Sequence, residues 1–316
     1  LYNVVIAMTG LPYLFHPLVN KKNKICCISA GAAKGFYQLG ALYYLYSSGY
    51  LADTTIFIGS SVGAAIACIL AIGYDPIEFF SYTCTNDINE CWKYDLSLHT
   101  ILHQWGAIDH TRFKVYLEDA IRLKLGYIPT FEELYLIHSK CFICTSWCVN
   151  SLYHQTYFNP FETPNIKISD AVMASCALPG IFTKVYIHSN CYLDGGLFDR
   201  LPIYYSIHFC KQFKLEIDTL YVIDAKSTHF KVEKHIPTLL DYLKGMLYIP
   251  FFMQQDVKDT VMNLPEIGKH IIWIDLECEH SEITLTLDVK NRISNFCSGM
   301  SQAKEKCKLK LNVLNS

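Results

Sequence analysis

Residues 54–74 carry no charged side chain, and they change character part-way along. Thr54, Thr55, Ile56, Phe57 and Ile58 are β-branched or aromatic, the types that suit a pleated, buried strand. Gly59-Ser60-Ser61-Val62-Gly63 follows, and then Ala64, Ala65, Ile66 and Ala67, which favour helix. By length alone the stretch would span a bilayer as one helix. The glycines and serines in its first half argue instead for a buried strand, a tight turn and a buried helix. A strand that is apolar throughout, rather than alternating, belongs to a sheet covered on both faces.

The same alternation recurs along the chain. Ile25–Ser29 reads as a strand and residues 34–48 as a helix stopped by Gly49. Asp75-Pro76 opens another helix, with Asp as N-cap and Pro at the first helical position. Helical patterns follow at 111–124 and 130–139, then strands at 140–148 and 152–158, and a helix from about Ser169 that stops before Pro179-Gly180. A strand ends at Asp194, and 219–225 and 270–275 read as two more, with helices near 237–259 and 290–308. Alternating strands and helices predict an α/β fold in three layers, a central mostly parallel sheet covered by helices on both faces. No Pro/Gly/Ser-rich linker divides the chain. The expected organisation is an N-terminal segment 1–23, a core 24–225 with a helical insertion at about 75–140, and a region 226–316 that completes the same domain.

Composition narrows the function. Hydrophobic residues are 51% and charged residues 18% of 316, too apolar for a disordered chain. Basic and acidic residues nearly balance, with a formal net charge of −2, and the longest basic run is Lys21-Lys22. No global field exists to hold nucleic acid, and no nucleic-acid partner is expected. The 14 cysteines sit within apolar runs, as in Ile25-Cys26-Cys27-Ile28, which reads as core-filling thiols in a reducing compartment such as the cytoplasm. Residues 1–20 lack the pattern of a secretory leader. Cys141, Cys144 and Cys148 suggest metal spacing, but on a strand Cys141 and Cys144 point to opposite faces, so no metal is expected there.

Three segments carry chemistry. Gly59-Ser60-Ser61-Val62-Gly63 fits G-x-S-x-G, and between strand and helix this spacing forms a nucleophile elbow that exposes the Ser61 hydroxyl at the end of the sheet. Gly59 and Gly63 keep Cβ atoms out of the close strand–helix contact. Ser29-Ala30-Gly31-Ala32-Ala33-Lys34-Gly35 follows the first strand; its small residues leave backbone N–H groups accessible at a helix start, which suits either a phosphate or the oxyanion of an acyl intermediate. The Walker spacing is absent, which argues against a P-loop. Tyr192-Leu193-Asp194-Gly195-Gly196 can present a carboxylate from a strand end into an uncrowded cleft.

Together, and in this order, the three segments resemble the patatin-like phospholipases, which share their catalytic logic with cytosolic phospholipase A2. Lys34-Gly35-Phe36-Tyr37-Gln38-Leu39-Gly40-Ala41-Leu42 and Asp170–Pro179 add to the resemblance, which covers about residues 24–225. It implies a patatin-like fold and a serine ester hydrolase of phospholipase A or lysophospholipase type, acting on a lipid or membrane-surface substrate without metal or cofactor. It also implies a dyad of Ser61 as nucleophile and Asp194 as general base, with an oxyanion hole from Gly31, Ala32, Ala33 and Lys34 and support from Gly35, Gly59, Gly63, Gly195 and Gly196. Lys34 is read as holding the loop or as a solvated charge. Two departures stand out. The family's glycine-rich loop keeps only Gly31, between Ala30 and Ala32, and Arg200 stands where an Asn is common. If Ala30 or Ala32 needs positive φ, alanine there costs about 1 kcal/mol. The altered loop motivates an alternative, a catalytically weak protein that binds lipid or a partner; an acyltransferase using the same dyad is another. A conventional triad would recruit His208, His229, His235 or His270, none of which has a local motif. Leu243–Met253 is a candidate lid or interfacial patch, and the apolar stretch Val4–Phe15 is expected to pack on the core or touch a membrane surface.

Overall fold

In the computed structural model, Leu18, residues 21–150, 154–228, Gly245, 257–280 and 284–314 are described. The stretches Val4–Phe15 and Leu243–Met253, apart from Gly245, lie outside them, as do His229 and His235.

Five parallel strands form the centre of the main sheet, in the order β10 (Ile271–Cys278), β9 (Glu216–Ser227), β1 (Lys22–Ile28), β2 (Thr54–Gly59) and β4 (Cys141–Cys148). Beyond β4 the sheet turns antiparallel. β5 (His154–Phe158) and β8 (Asn190–Asp194) both pair with β4, and β7 (Val185–Ile187) closes the edge. A separate parallel pair, β3 (Gly106–Ile108) and β6 (Gly180–Phe182), sits apart from this sheet.

Both faces are covered, as the apolar strands require. One face packs on α1 (Gly35–Ser47), α2 (Val62–Ala71), α3 (Pro76–Thr85), α5 (Thr111–Leu125), α7 (Ile168–Ser175) and α10 (Val289–Leu314). The other packs on α8 (Ile203–Gln212) and α9 (Val257–Met262). α4 (Leu98–Gln104) and α6 (Phe131–His138) complete the helices used below. Period-two alternation along β4 sends Phe142, Cys144 and Cys148 into the first core and Cys141 and Ile143 into the second. Among the described residues no group of His, Cys, Asp or Glu is arranged to hold a metal ion.

Local chemistry explains most boundaries. α3 starts in a capping box, the Asp75 side chain accepting from the helix start while Glu78 accepts from the Asp75 amide. α6 uses Thr130 and Glu133 in the same way. α2 and α3, the uncharged segment and its successor, meet at a bend of 118°. Among the described residues no single helix is long and apolar enough to cross a membrane. α10 crosses α1 where Gly40 and Gly299 face the opposite backbone, a Cβ on either meeting a carbonyl oxygen at 1.9 Å.

Candidate active site

Sheet register brings the chemical segments together. Ile28 of β1 pairs with Gly59 of β2, so the loop after β1 and the turn after β2 leave the sheet side by side. Gly59 also pairs with Cys144 of β4, and two residues further on Ser146 pairs with Asp194. Ser61, two residues beyond Gly59, is therefore level with Asp194. The Ser61 hydroxyl donates to Asp194 Oδ2 at 2.7 Å, across 133 residues of chain. The pair sits at the carboxyl ends of the parallel strands, where open α/β sheets form their binding crevices.

The turn holds Ser61 in a strained conformation, φ 53° and ψ −127°. Its amide donates to Ser175 Oγ at 2.8 Å, and its carbonyl accepts from Ala64 at 2.8 Å. The neighbouring glycines are steric requirements. A Cβ on Gly59 would lie 2.2 Å from the Gly63 carbonyl oxygen, and one on Gly63 would lie 2.4 Å from that of Ser29. A Cβ on Gly195 would lie 2.1 Å from Thr145 Oγ1. Ser60 is buried beneath the turn and accepts from Thr145 Oγ1 at 2.9 Å.

Asp194 is almost fully buried, and burial pushes its carboxyl from the ordinary 3.8 up to about 7. The Ser61 hydroxyl and the Gly196 amide, which donates to Oδ1 at 2.7 Å, work against that rise. A hydroxyl bonded to a carboxylate whose affinity for protons is matched to neutral pH can pass its proton across. No histidine enters this arrangement among the described residues: His208 is exposed on α8, and His270 Nδ1 lies 2.8 Å from the Asp218 carbonyl oxygen.

The small-residue loop behaves differently from a uniform row of donors. The Ala33 amide donates to the Thr284 carbonyl at 2.8 Å, and the Lys34 amide turns back to Gly31 O at 2.8 Å. These two amides, expected from the sequence to join an anion site, are thus already committed. The Gly31 and Ala32 amides have no acceptor among the described residues. Nor has the amide of Val62, the first residue of α2, which the motif spacing did not single out. Ala32 has φ 44°, so alanine occupies a left-handed position where glycine would be unstrained. Lys34 is fully buried, which removes the reading of a solvated charge. Gly35 sits where the loop meets α2, 3.2 Å from a Val62 methyl if it carried a Cβ.

Arg200 acquires a physical account here. Its carbonyl accepts the Ala30 amide at 2.7 Å, and its buried guanidinium donates to Asp224 and to the Ala225 carbonyl. Asp224 is also paired with Lys226, 3.3 Å away. Gln38 completes the loop's support, donating to the Ser29 carbonyl at 2.7 Å. Of these supports, Ser175 lay within a recognisable stretch, whereas the Arg200–Asp224 pair and the Thr284 contact have no sequence signal.

Ser61, Asp194, Gly31 and Ala32 open together on a cavity of about 110 Å³ whose other walls are mostly apolar, among them Phe36, Leu39, Ile66, Phe79, Trp92 and Leu178.

A family model of patatin-like phospholipases matches residues 26–207. The chain belongs to the patatin-like phospholipase family. It is 27% identical over 234 residues to probable lipid hydrolase 463L of Invertebrate iridescent virus 6, covering 72% of this chain and 78% of that protein. Among solved structures, VipD from Legionella pneumophila superposes with a TM-score of 0.51 at 16% identity, over 90% of this chain and 66% of VipD. ExoU, in its complex with SpcU from the type III secretion system of Pseudomonas aeruginosa, gives 0.53 at 16% identity, over 92% of this chain and 52% of ExoU. The chain therefore spans roughly half to two thirds of these bacterial proteins, and at such identity the likeness concerns the fold.

Proposed function

We propose that this patatin-like protein is a lipid acyl hydrolase, with Ser61 as nucleophile and Asp194 as its proton acceptor. The observation that carries the reading is the 2.7 Å Ser61–Asp194 hydrogen bond at the mouth of an apolar cavity. The name of the viral relative and the family membership support the same reaction class. Ser61 Oγ attacks the ester carbonyl as its proton passes to Asp194 Oδ2. The resulting oxyanion is met by the Gly31 and Ala32 amides, each such donor being worth about 2.7–4 kcal/mol. Collapse returns the proton to the departing alcohol and leaves an acyl-serine ester. Asp194 then deprotonates a water that releases the fatty acid. The cavity suits the acyl chain, since its walls offer almost no polar partner to a head group.

A fluorophosphonate probe tests the reading directly. Labelling is expected at Ser61, located by mass spectrometry of the labelled peptide, with fatty-acid release from phospholipid vesicles abolished in Ser61→Ala. A wild-type protein that neither labels nor releases fatty acid above the Ser61→Ala background would refute it and favour a lipid-binding role.

A further inference from the structure

Around α4 the chain exposes a cluster of large apolar side chains that the proposed chemistry does not use. Leu96 and Leu102 are 73% and 62% exposed, and Tyr94, Ile101, Trp105 and Tyr186 are also exposed. The backbone joins them into one surface. Tyr94 bridges to Ile108, the Trp105 carbonyl accepts from Gly180, and the Lys184 amide donates to Gln104. Lys184 Nζ stands 4.6 Å from the centre of the Trp105 ring and 5.8 Å from that of Tyr186. Monomeric soluble proteins seldom expose apolar groups in such a cluster without an occupant.

Trp105 adds an independent observation. It ends α4 in the left-handed conformation, φ 67°, a position where glycine is the usual residue and a bulky side chain is an outlier. Local preference is overridden to keep an indole on the surface, which points to use of the side chain.

We infer that this face, formed by Tyr94, Leu96, Ile101, Leu102, Trp105 and Tyr186 with Lys184, docks on a phospholipid bilayer and sets the cavity mouth against it. The inference rests on the lipid-hydrolase reading for its purpose, but not for its test. The chemistry favours a bilayer. Indole and phenol rings with an ammonium group beside them suit the boundary between head groups and acyl chains, with leucines reaching below. Exposed Lys93, together with Lys184, supplies the positive charge that lipid phosphates would meet, and the exposed carboxylate within the cluster, Asp95, accepts from the Ser97 amide and the Thr100 hydroxyl. The face is continuous with the cavity. Trp92, two residues before Tyr94, and Phe182, two before Lys184, both line it, their rings 5.5 Å apart.

The test is cosedimentation with vesicles of phosphatidylcholine, alone and mixed with phosphatidylserine, using Ser61→Ala protein so that no lipid is consumed. The triple variant Leu96→Ser, Leu102→Ser, Trp105→Gly is expected to bind roughly tenfold more weakly. Its hydrolysis of a dispersed, short-chain nitrophenyl ester should be unchanged in the Ser61 background. Trp105→Gly alone should raise the melting temperature while lowering vesicle binding, which separates docking from folding. Vesicle binding equal in the triple variant and its parent would overturn the inference. So would a parent that ignores vesicles, including one that self-associates through this face. If the patch variants lose vesicle binding but wild type hydrolyses no ester, docking stands and the hydrolase reading falls.

Discussion

Replacing Asp194 by Asn tests the electrostatics of the site without changing its shape. In the folded protein the carboxyl is raised from 3.8 to about 7, chiefly by burial. That shift, at about 1.36 kcal/mol per pH unit, makes the ionised side chain costly to fold by about 4 kcal/mol. The asparagine oxygen still accepts from Gly196, and its amide can donate to the Ser61 oxygen, so both hydrogen bonds have a counterpart. The sign follows from the direction of the shift. Below about 3.8 the carboxyl is protonated whether folded or unfolded, and wild type carries no penalty. As pH rises toward 7 the unfolded chain releases a proton that the folded chain keeps, so wild-type stability falls; above about 7 the loss is complete. Asp194→Asn should therefore match wild type near pH 4 and exceed it by up to about 4 kcal/mol near pH 8. Urea unfolding of both proteins across this range measures the difference, with fatty-acid release followed in parallel. Activity in the variant should fall by about 10²–10⁴-fold. Wild-type kcat/KM on a dispersed ester should rise through about pH 7 as the carboxylate forms. A stability difference that stays constant from pH 4 to pH 8 would refute the raised carboxyl and the argument built on it.

Other substitutions probe the scaffold. Ala32→Gly removes the strain of a left-handed alanine and should stabilise the fold by up to about 1 kcal/mol in thermal unfolding, with activity kept or raised. Gly63→Ala forces a Cβ against the Ser29 and Ile28 carbonyls and should cost about 1–3 kcal/mol in the same assay, with fluorophosphonate labelling of Ser61 reduced. Arg200→Met deprives buried Asp224 of its guanidinium partner; a loss of about 3 kcal/mol by urea unfolding is expected, and an unchanged midpoint would count against the pair as a support of the loop.

The order of the strands and helices was legible because each was written in local terms. The switch from β-branched residues to alanines across Gly59–Gly63 marks β2 and α2, and Asp75-Pro76 marks the start of α3. Short elements escaped. β3, β6 and β7 are three residues each, too brief for any periodicity, and α4 exposes Ile101 and Leu102, where a core-facing pattern does not apply. α8 also went unread: its apolar face packs on a sheet face whose position depends on strand order.

By itself the sequence determined which residue types stand at the strand ends: a serine between two glycines, a carboxylate before two glycines, and a small-residue loop before a helix. Those are local properties, set by backbone sterics within a few residues. Tertiary structure decided what local spacing cannot encode. Sheet register set Ser61 level with Asp194 across β4, burial beneath the helices raised that carboxyl, and the Thr284 carbonyl and the Lys34 turn took two of the loop's amides. Distance, desolvation and competition for hydrogen bonds depend on partners far apart in the chain, and only the packed fold brings those partners together.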